Sequence, residues 1–574
     1  MAKDLLTTLM IVAVGLGTVF MAGCQTEALS GLGIGAAGVR RITVADYADK
    51  MKAGWIGQMA GVGWGGPTEF KYKGEIIPED KMPQWKPSMI NQFRQDDIYV
   101  EMTFLRTLEL YGMDVSIRQA GIDFANSGYP LWHANRNGRD NLRKGIAPPD
   151  SGHPAFNTHA DDIDYQIEAD YSGLIAPGLP NVAIKLGEKF GRLMNYGDGL
   201  YGGQFVGGMY AEAFFEDDME KIVLAGLKCI PQKSQYAECI RDVFTWYKQN
   251  PDDWQKTWQL IEDKYNLDPA YRRFSCGGAE SDHNIDAKIN GAYIVMGLLY
   301  GEGDPDKTII ISTRCGQDSD CNPSNSGGIL FTTIGFAGLP DKFKSALDPE
   351  GKFSHTPYNF PTLVEVSKKL VRQALERAGG RVEKDADGQE VFVIPIRKPK
   401  PSKLEQCWEP GPPANSKFTD QEMAQITAGA GKDLSKAISK LAPGWKVSNC
   451  GDEMNPGLYD QKRGKTNVLV THPLDRTTGC VISRKVEPPV GKKTTLKLVV
   501  GNDERGDWDL IVKANGKQLL RKTVGEDTTT DGWMDVEIDL SEYAGKTVQL
   551  ELVNQPTAWS FEAAHWAQIS LVSQ

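Results

Sequence analysis

The pattern of hydrophobic residues changes once along this chain, near residue 380, and this change limits what the chain can fold into. After a capping Thr43, apolar residues recur at three- to five-residue steps, beginning with Tyr47, Met51 and Ile56. Beyond about residue 442, short runs alternate apolar and polar residues, as in TTLKLVVG (494–501). The sequence therefore predicts a large, all-α domain followed by a β-sandwich of the jelly-roll kind.

The same patterns divide the chain into segments. Residues 40–380 are the predicted helical domain, residues 381–441 a Pro-rich linker and connecting segment, and residues 442–574 the β-sandwich. The linker is expected because its first part is rich in Pro and charged residues. The predicted helices cover 44–60, 181–195, 216–228, 234–249, 251–264, 284–300, 323–336 and 361–377. The predicted strands cover 467–471, 494–501, 508–515, 533–540 and 548–554.

The composition is that of a globular protein with an acidic balance. Hydrophobic residues make up 40% of the 574 residues and charged residues 24%, so the chain can bury a sizeable core. The net charge is −11. We expect no nucleic-acid partner, because phosphate binding depends on clustered Lys and Arg and the sequence shows no basic stripe.

Residues 1–23 have the pattern of a bacterial lipoprotein signal peptide. Lys3 precedes an apolar run that begins at Leu5, and small residues stand just before Cys24. The tetrad Met-Ala-Gly-Cys resembles a lipobox, which implies that Cys24 is lipidated and anchors the mature protein to a lipid bilayer. The alternatives are a plain export signal and an uncleaved anchor. In each case we expect export to the cell envelope, in the periplasm or on the outer-membrane surface.

Three acidic motifs carry the candidate chemistry. They are GQMAGVGWGGPTEF (57–70), QDDIYVEMTFLRTLE (95–109) and CGQDSDCNPSNSGG (315–328). Asp96 and Asp97 in the second motif, and Asp318 and Asp320 in the third, stand at predicted helix starts. Capping of free N–H groups is the simplest explanation of each pair alone. Brought together, the four carboxylates would repel one another, and a hard divalent cation would relieve that repulsion.

Taken in this order, the motifs resemble those of the ADP-ribosylglycohydrolase superfamily. Its members carry a Gly-rich opening that ends in an acidic residue, a Thr-Asp-Asp-Thr helix start and a late Gly-Asp-Thr-Asp segment. The resemblance covers about residues 43–340 and implies an all-α fold with a metal centre, usually of two Mg²⁺ ions. It places Glu69 or Asp97 in the catalytic role. By motif position, the implied metal ligands are Gln95, Asp96, Asp97, Asp318, Asp320 and Cys321.

Several positions depart from the family's pattern. Gln95 and Cys321 stand where the family has hydroxyl residues that coordinate metal, and a Cys sulfur is a poor ligand for Mg²⁺. Val62 replaces an acid of the Gly-rich opening. These departures imply one metal ion rather than two, or a preference for Ca²⁺ or Mn²⁺. GLIAP (173–177) stands where the family has an Arg-containing loop for ADP-ribose, which argues against diphosphate recognition.

The segments between the second and third motifs are dense in groups that sugar sites use. Amides and carboxylates bind sugar hydroxyls, and aromatic faces cover the ring. The alternative is a solvated loop whose polar side chains stabilise its own turns. The candidates for substrate contact are His133, Asn135, Arg136, His159, Asp161, Asp162 and Asp164.

The C-terminal domain adds a candidate carbohydrate-binding module. Its residues 507–571 resemble a galactose-binding-like jelly roll, a fold often attached to secreted glycan hydrolases. Cys450 and Cys480 are the predicted disulfide, which an exported protein permits. Four tryptophans either offer a sugar-stacking surface or fill the core. They are Trp508, Trp533, Trp559 and Trp566.

The leading hypothesis is an exported, metal-dependent hydrolase that cleaves a glycosidic bond in a glycan or glycoside. Mg²⁺ is the expected ion by family resemblance. One alternative is an ADP-ribosyl hydrolase that releases ADP-ribose from a modified residue. The other is a non-catalytic surface lipoprotein that binds glycans, which the departures at Val62, Gln95 and Cys321 support.

Overall fold

The computed structural model describes residues 38–275, 278, 280–426, 434–451, 454, 456–558 and 561–574. The predicted signal peptide and Cys24 lie outside these residues. Among the residues described, no helix combines the length and the apolar character needed to cross a bilayer.

A helical region followed by antiparallel sheets confirms the predicted fold class. The helices of the first region are α1 Val44–Gly65, α2 Asp96–Tyr111, α3 Ile117–Ala125, α4 His133–Arg143, α5 Asp164–Ile167, α6 Asp170–Leu174, α7 Pro180–Phe190, α8 Asp198–Ala213, α9 Met219–Leu227, α10 Gln235–Gln249, α11 Trp254–Ile261, α12 Ala287–Tyr300, α13 Pro305–Arg314, α14 Cys321–Ile334 and α15 Phe360–Arg377.

Each predicted helix is present, with ends within about five residues of those expected. Local caps set several of these ends, since the side chains of Thr43 and Ser234 accept hydrogen bonds from the N–H groups of Asp46 and Ala237. The periodicity did not predict α4, whose sequence HANRNGRDNLR has almost no apolar residues. That helix is held by polar contacts with distant residues.

A three-stranded antiparallel sheet joins the two ends of the helical region. Its strands are β1 Val39–Thr43, β2 Arg381–Lys384 and β3 Glu390–Pro395, in the order β1-β3-β2. Residues 391–394 of β3 are almost fully buried. Their backbone N–H and C=O groups need hydrogen-bond partners, and β1, at the start of the domain, supplies them. The first residues of the segment expected to be a linker therefore belong to the helical region.

The Pro-rich segment that follows is tied to the helical region by hydrogen bonds, although most of its residues are exposed. The Asp150 carboxylate accepts hydrogen bonds from the N–H groups of Ala414 and Ser416 at 2.8 and 2.7 Å. The Arg118 guanidinium binds the Glu422 carboxylate in the short helix α16 (Asp420–Met423). An extended Pro-rich chain makes no internal hydrogen bonds, so its remaining polar groups pair with the neighbouring domain.

The C-terminal region consists of helix α17 (Ser435–Leu441) and two stacked sheets. Within the described residues the sheet orders are β10-β9-β12-β7-β4 and β11-β8-β13-β6-β5, all antiparallel. The strands are β4 Lys446–Ser448, β5 Gly457–Lys462, β6 Lys465–Thr471, β7 Cys480–Val486, β8 Thr494–Asn502, β9 Trp508–Ala514, β10 Lys517–Val524, β11 Trp533–Asp539, β12 Val548–Gln555 and β13 Ala564–Ser573.

The core between these sheets contains two of the tryptophans considered for sugar stacking. Trp508 and Trp566 are fully buried there, with ring centroids 5.3 Å apart. Trp533 is 8% exposed and lies outside this core, against Lys465 and His565. Trp559 lies outside the described residues. Cys450 and Cys480 are neighbours in a small buried cluster and are present as thiols.

Candidate active site

Glycines at four-residue spacing let α1 approach the start of α14 backbone to backbone. A Cβ atom at Gly57, Gly61 or Gly65 would lie only 2.0–2.4 Å from a main-chain oxygen within residues 319–327. Residues 57–65 of the Gly-rich motif are thus the end of α1, and the spacing of their glycines serves packing. Val62, which replaces the family's acid, is fully buried in the core.

The loop before α14 is fixed against the turn that carries Glu69. The Phe70 N–H donates to the Gln317 carbonyl at 3.1 Å, and the Gln317 N–H donates to the Tyr72 carbonyl at 2.8 Å. The hydroxyls of Thr68 and Ser319 lie 2.9 Å apart. These contacts hold Glu69 beside the Asp-Ser-Asp segment of the loop.

The start of α2 lies at the same place. Gln95 is the N-cap residue of α2, and Asp96 and Asp97 form its first turn. The Cys321 thiol donates a hydrogen bond to Asp97 Oδ1 at 3.0 Å. Among the described residues, the buried oxygens Asp97 Oδ2 and Asp318 Oδ1 have no hydrogen-bond partner. Helix capping therefore leaves buried carboxylate oxygens unsatisfied, which a bound cation would satisfy.

The electrostatics of this cluster are those of crowded carboxylates. Desolvation, followed by repulsion from Asp320 and Asp96, raises the pKa of Glu69 to about 8. Burial and Asp320 raise the pKa of Asp96 to about 7, and they hold the pKa of Asp97 and Asp318 well above its usual range. A bound cation would reverse these shifts, because it favours the ionised form of every carboxyl.

The cluster formed by Glu69 and the four aspartates is buried on one side and open to solvent on the other. Asp97, Asp318 and Asp320 are at most 3% exposed, whereas Asp96 is half-buried and Glu69 is exposed. A substrate that enters from solvent therefore meets Glu69 and Asp96 first.

Cys321 occupies the position of a family ligand. Its sulfur lies 3.7 Å from Asp320 Oδ1, and possible donor atoms of Asp318, Asp320 and Cys321 lie within 4.8 Å of one another. Burial and the neighbouring carboxylates raise the pKa of the Cys321 thiol well above its usual value. A protonated thiol donates a hydrogen bond instead of ligating a hard cation.

Several residues predicted to contact substrate make contacts that stabilise the fold. Asp164 accepts hydrogen bonds from the N–H groups of Ala134 and Asn135, both at 3.1 Å, and so caps α4. The Asn135 side chain donates to buried Glu168. Asp161 is 3% exposed and faces the positive charge of Lys288.

Of the other predicted substrate residues, His133, Arg136 and His159 lie nearer to solvent, whereas Asp162 is fully buried. His159 Nδ1 lies 2.6 Å from Asp162 Oδ2, and His133 Nδ1 lies 3.9 Å from the same oxygen. Arg136 is half-buried on α4, one turn after His133. His283, which the sequence did not single out, has its ring centroid 5.7 Å from that of His133.

The histidines adjoin the aspartate loop. The Gln317 side chain donates to the Asp282 carbonyl and accepts from the Asn284 N–H, both at 2.9 Å, which fixes the residues around His283. The His283 ring lies against Phe70, with centroids 4.9 Å apart. The two groups of side chains therefore line neighbouring parts of one surface.

Sequence reasoning also missed three buried acids behind the site. Glu101 accepts hydrogen bonds from the Gln58 side chain and the Tyr171 N–H. Asp170 is paired with the hydroxyl of Tyr210, and Glu168 with Asn135. The sequence did contain a signal for Glu101, because a residue four positions after Asp97 lies on the same face of the helix. Those acids connect the aspartates to the core.

The fold and site together define a helical hydrolase with a carboxylate-rich centre. The sequence matches the ADP-ribosylglycohydrolase family over residues 43–380, and the chain belongs to this family. Its helical domain is that of a glycosyl-bond hydrolase, and the family typically depends on a divalent metal.

Solved structures similar to parts of the chain share little sequence with it. An "ADP-ribosylglycohydrolase-related protein complex" is 13% identical, with a TM-score of 0.38, over 57% of this chain and 99% of that chain. A CBM35 from Paenibacillus barcinonensis is 15% identical, with a TM-score of 0.17, over 23% of this chain and 94% of its own. A family 35 carbohydrate binding module from Clostridium thermocellum is 13% identical, with a TM-score of 0.18, over 23% and 95%. No curated protein matches the sequence.

Proposed function

We propose that this protein is an exported, lipid-anchored hydrolase that uses a divalent cation to cleave a glycosidic bond in a glycan or glycoside. The observation that carries the proposal is the aspartate cluster where α2 and α14 begin. The charges that raise the pKa of its carboxyls are other carboxylates. Carboxylates that repel one another in this way are typical of functional sites.

The residues present fit a hard divalent cation. Asp96, Asp97, Asp318 and Asp320 would hold it, and the side-chain amide oxygen of Gln95 is an acceptable further ligand. Two of these residues have buried oxygens with no hydrogen-bond partner among the residues described. The bound ion would supply Lewis acidity toward a sugar hydroxyl or water. Oxygen donors favour Mg²⁺, Mn²⁺ or Ca²⁺.

Glu69 is positioned for proton transfer. Its side chain lies on the open side of the cluster, where a protonated carboxyl can face the substrate. It can donate that proton to the oxygen of the leaving group as the glycosidic bond breaks. As a carboxylate it can then accept a proton from the attacking water. Asp96, also on the open side, can accept hydrogen bonds from sugar hydroxyls.

Hydrolysis can be tested on a panel of aryl glycosides and polysaccharides. We expect sugar release that EDTA abolishes and Mg²⁺ or Mn²⁺ restores. Asp318→Asn should lower kcat/KM at least about 100-fold, because it removes several kcal/mol of transition-state stabilisation. Asp341→Asn is the matched control, since Asp341 is a surface acid that is 93% exposed. Release that neither EDTA nor Asp318→Asn reduces would refute the metal mechanism.

Export and anchoring are supported by the sequence of residues 1–24. In a bacterial host, the chain should fractionate with membranes, and Cys24→Ser should move it out of that fraction. Membrane association unchanged by this substitution would instead support an uncleaved anchor.

A second candidate function is the release of ADP-ribose from a modified residue, which the family match favours. A thermal shift with ADP-ribose that exceeds the shift with simple sugars would support it. A protein that binds glycans but releases neither product would support the non-catalytic alternative.

A further inference from the structure

Three of the chain's seven histidines, His133, His159 and His283, lie together, and the first two are beside Asp162. The ring centroids of His133 and His159 are 5.3 Å apart, and possible donor atoms of these two residues and Asp162 lie within 4.8 Å of one another. The two imidazoles are 28% and 25% exposed, whereas the Asp162 side chain is fully buried. A ligand that reaches the rings from solvent therefore also reaches a buried carboxylate.

The backbone holds Asp162 in place. Residues 161–163 pair with residues 285–287, through the Ile163 N–H to the Ile285 carbonyl and the Ala287 N–H to the Asp161 carbonyl, both at 3.0 Å. The carboxylate is thus presented by a short antiparallel bridge instead of a mobile loop.

The histidines are held by a shared partner. The side-chain oxygen Oδ1 of Asn157 accepts from the backbone N–H of His159 at 3.0 Å, and its side-chain nitrogen Nδ2 donates to the Ala134 carbonyl at 3.1 Å. Asn157 therefore ties the turn of His159 to the start of α4, which carries His133. A binding site needs this kind of support to keep its ligands in one arrangement.

The charge around Asp162 is unbalanced. Donor oxygens of Asp161, Asp162 and Asp286 lie within 4.8 Å of one another, and the Lys288 ammonium lies 2.9 Å from Asp286. In all three aspartates Oδ1 is buried and has no hydrogen-bond partner among the residues that the structure describes. If ionised, three carboxylates and one ammonium leave two negative charges, which a divalent cation would neutralise.

We propose that His133, His159 and Asp162 form a zinc site separate from the aspartate cluster. Two imidazoles and one carboxylate suit Zn²⁺ and leave a fourth position for water or a substrate oxygen, as in catalytic zinc sites. Burial keeps the His133 imidazole neutral and able to offer a lone pair, because it lowers the pKa of His133 to about 3. Asp161, Asp286 and Lys288 form the polar layer behind the ligands.

Zinc binding at this site replaces a hydrogen bond. In the absence of metal, His159 Nδ1 and Asp162 Oδ2 share a proton across 2.6 Å. For zinc to bind both atoms, that proton must move to His159 Nε2 if the carboxylate is ionised, or leave to solvent if the carboxyl is protonated.

The test uses the full chain, stripped of metal and titrated with Zn²⁺ in the presence of excess Mg²⁺. The excess Mg²⁺ is added to compete for the oxygen-rich aspartates, so that zinc binding reports the histidine site. His159→Asn should weaken zinc binding about 100-fold or more, since loss of even an outer-shell partner costs 10–100-fold. Asp318→Asn should leave it unchanged. Co²⁺ gives a second readout, because its visible spectrum should change with the histidine variant alone.

His133→Asn and His355→Asn form a matched pair. Both histidines have positive φ, +48° and +59°, which Asn tolerates, so neither substitution strains the backbone. Only His133→Asn should weaken zinc binding. Equal zinc affinity in wild type, His133→Asn and His159→Asn would overturn the proposal, as would loss of the Co²⁺ spectrum in Asp318→Asn alone. The site shares no residue with the aspartate cluster, so its failure would leave the proposed hydrolysis standing.

Discussion

Gly61 lies on the face of α1 that contacts α14, and a methyl group added there would meet main-chain atoms. A Cβ at this position would lie 2.1 Å from the Pro323 carbonyl oxygen and 2.4 Å from the Ser324 nitrogen. Ordinary contact begins at 3.4 Å, so the two segments would have to separate by about 1.3 Å. No side-chain rotation can relieve the overlap, because the opposing atoms are backbone.

Two opposing effects decide the stability of Gly61→Ala. In an open helix, Ala in place of Gly stabilises by about 1 kcal/mol. Overpacking of a tight interface costs up to about 3 kcal/mol. We therefore expect a net loss of about 2 kcal/mol. Because Asp320 and Cys321 stand at the start of α14, the same separation moves them relative to Glu69, and a displacement of about 1 Å can lower activity 100-fold.

The measurements are urea unfolding and Mn²⁺ affinity, followed by kcat/KM on the substrate that the glycoside panel identifies. Gly66→Ala is the control, since a Cβ there would meet only the Gln95 side chain, at 3.9 Å. It should stay within about 0.5 kcal/mol of wild type. If Gly61→Ala matched wild type in both stability and metal affinity, close packing of α1 on α14 would not be what positions the carboxylates.

Three further outcomes follow from the structure. Mg²⁺ should raise the Tm more at about pH 8.5 than at about pH 5.5. The pKa values of Asp96 and Glu69 are raised to about 7 and about 8, so the metal-free folded chain binds more protons than the unfolded chain. Its stability therefore falls as the pH rises from about 5.5 to about 8.5, and the bound cation restores that stability. An equal Mg²⁺ shift at both values would contradict this. Cys450 and Cys480 should form a disulfide after purification without reductant, and its reduction should then lower the free energy of unfolding in urea by about 2–4 kcal/mol. Alkylation of both thiols in the unreduced protein would show that the disulfide does not form. Cys321→Ser should tighten Mg²⁺ binding in calorimetry, because a hydroxyl oxygen is a harder ligand than a protonated thiol; unchanged affinity would show that residue 321 does not reach the ion.

Much of the fold is local and could be predicted from sequence. Helices such as α10 and α15 have an apolar face and a capping residue within the same few turns, so nothing distant is needed to define them. The strands of the sandwich alternate for the same reason. By contrast, α4 lacks an apolar stripe, and the caps that stabilise it come from Asp164, some 30 residues away.

The sequence by itself determined which carboxylates are candidates, and the tertiary structure decided what each one does. Asp161 and Asp162 are adjacent in the sequence, yet one faces Lys288 and the other binds His159. Lys288 lies more than a hundred residues further along the chain. The reason is physical: a buried carboxylate has the properties that its neighbours impose, and those neighbours are chosen by packing. Likewise, a glycine is needed at position 61 only because the backbone of α14 packs against it.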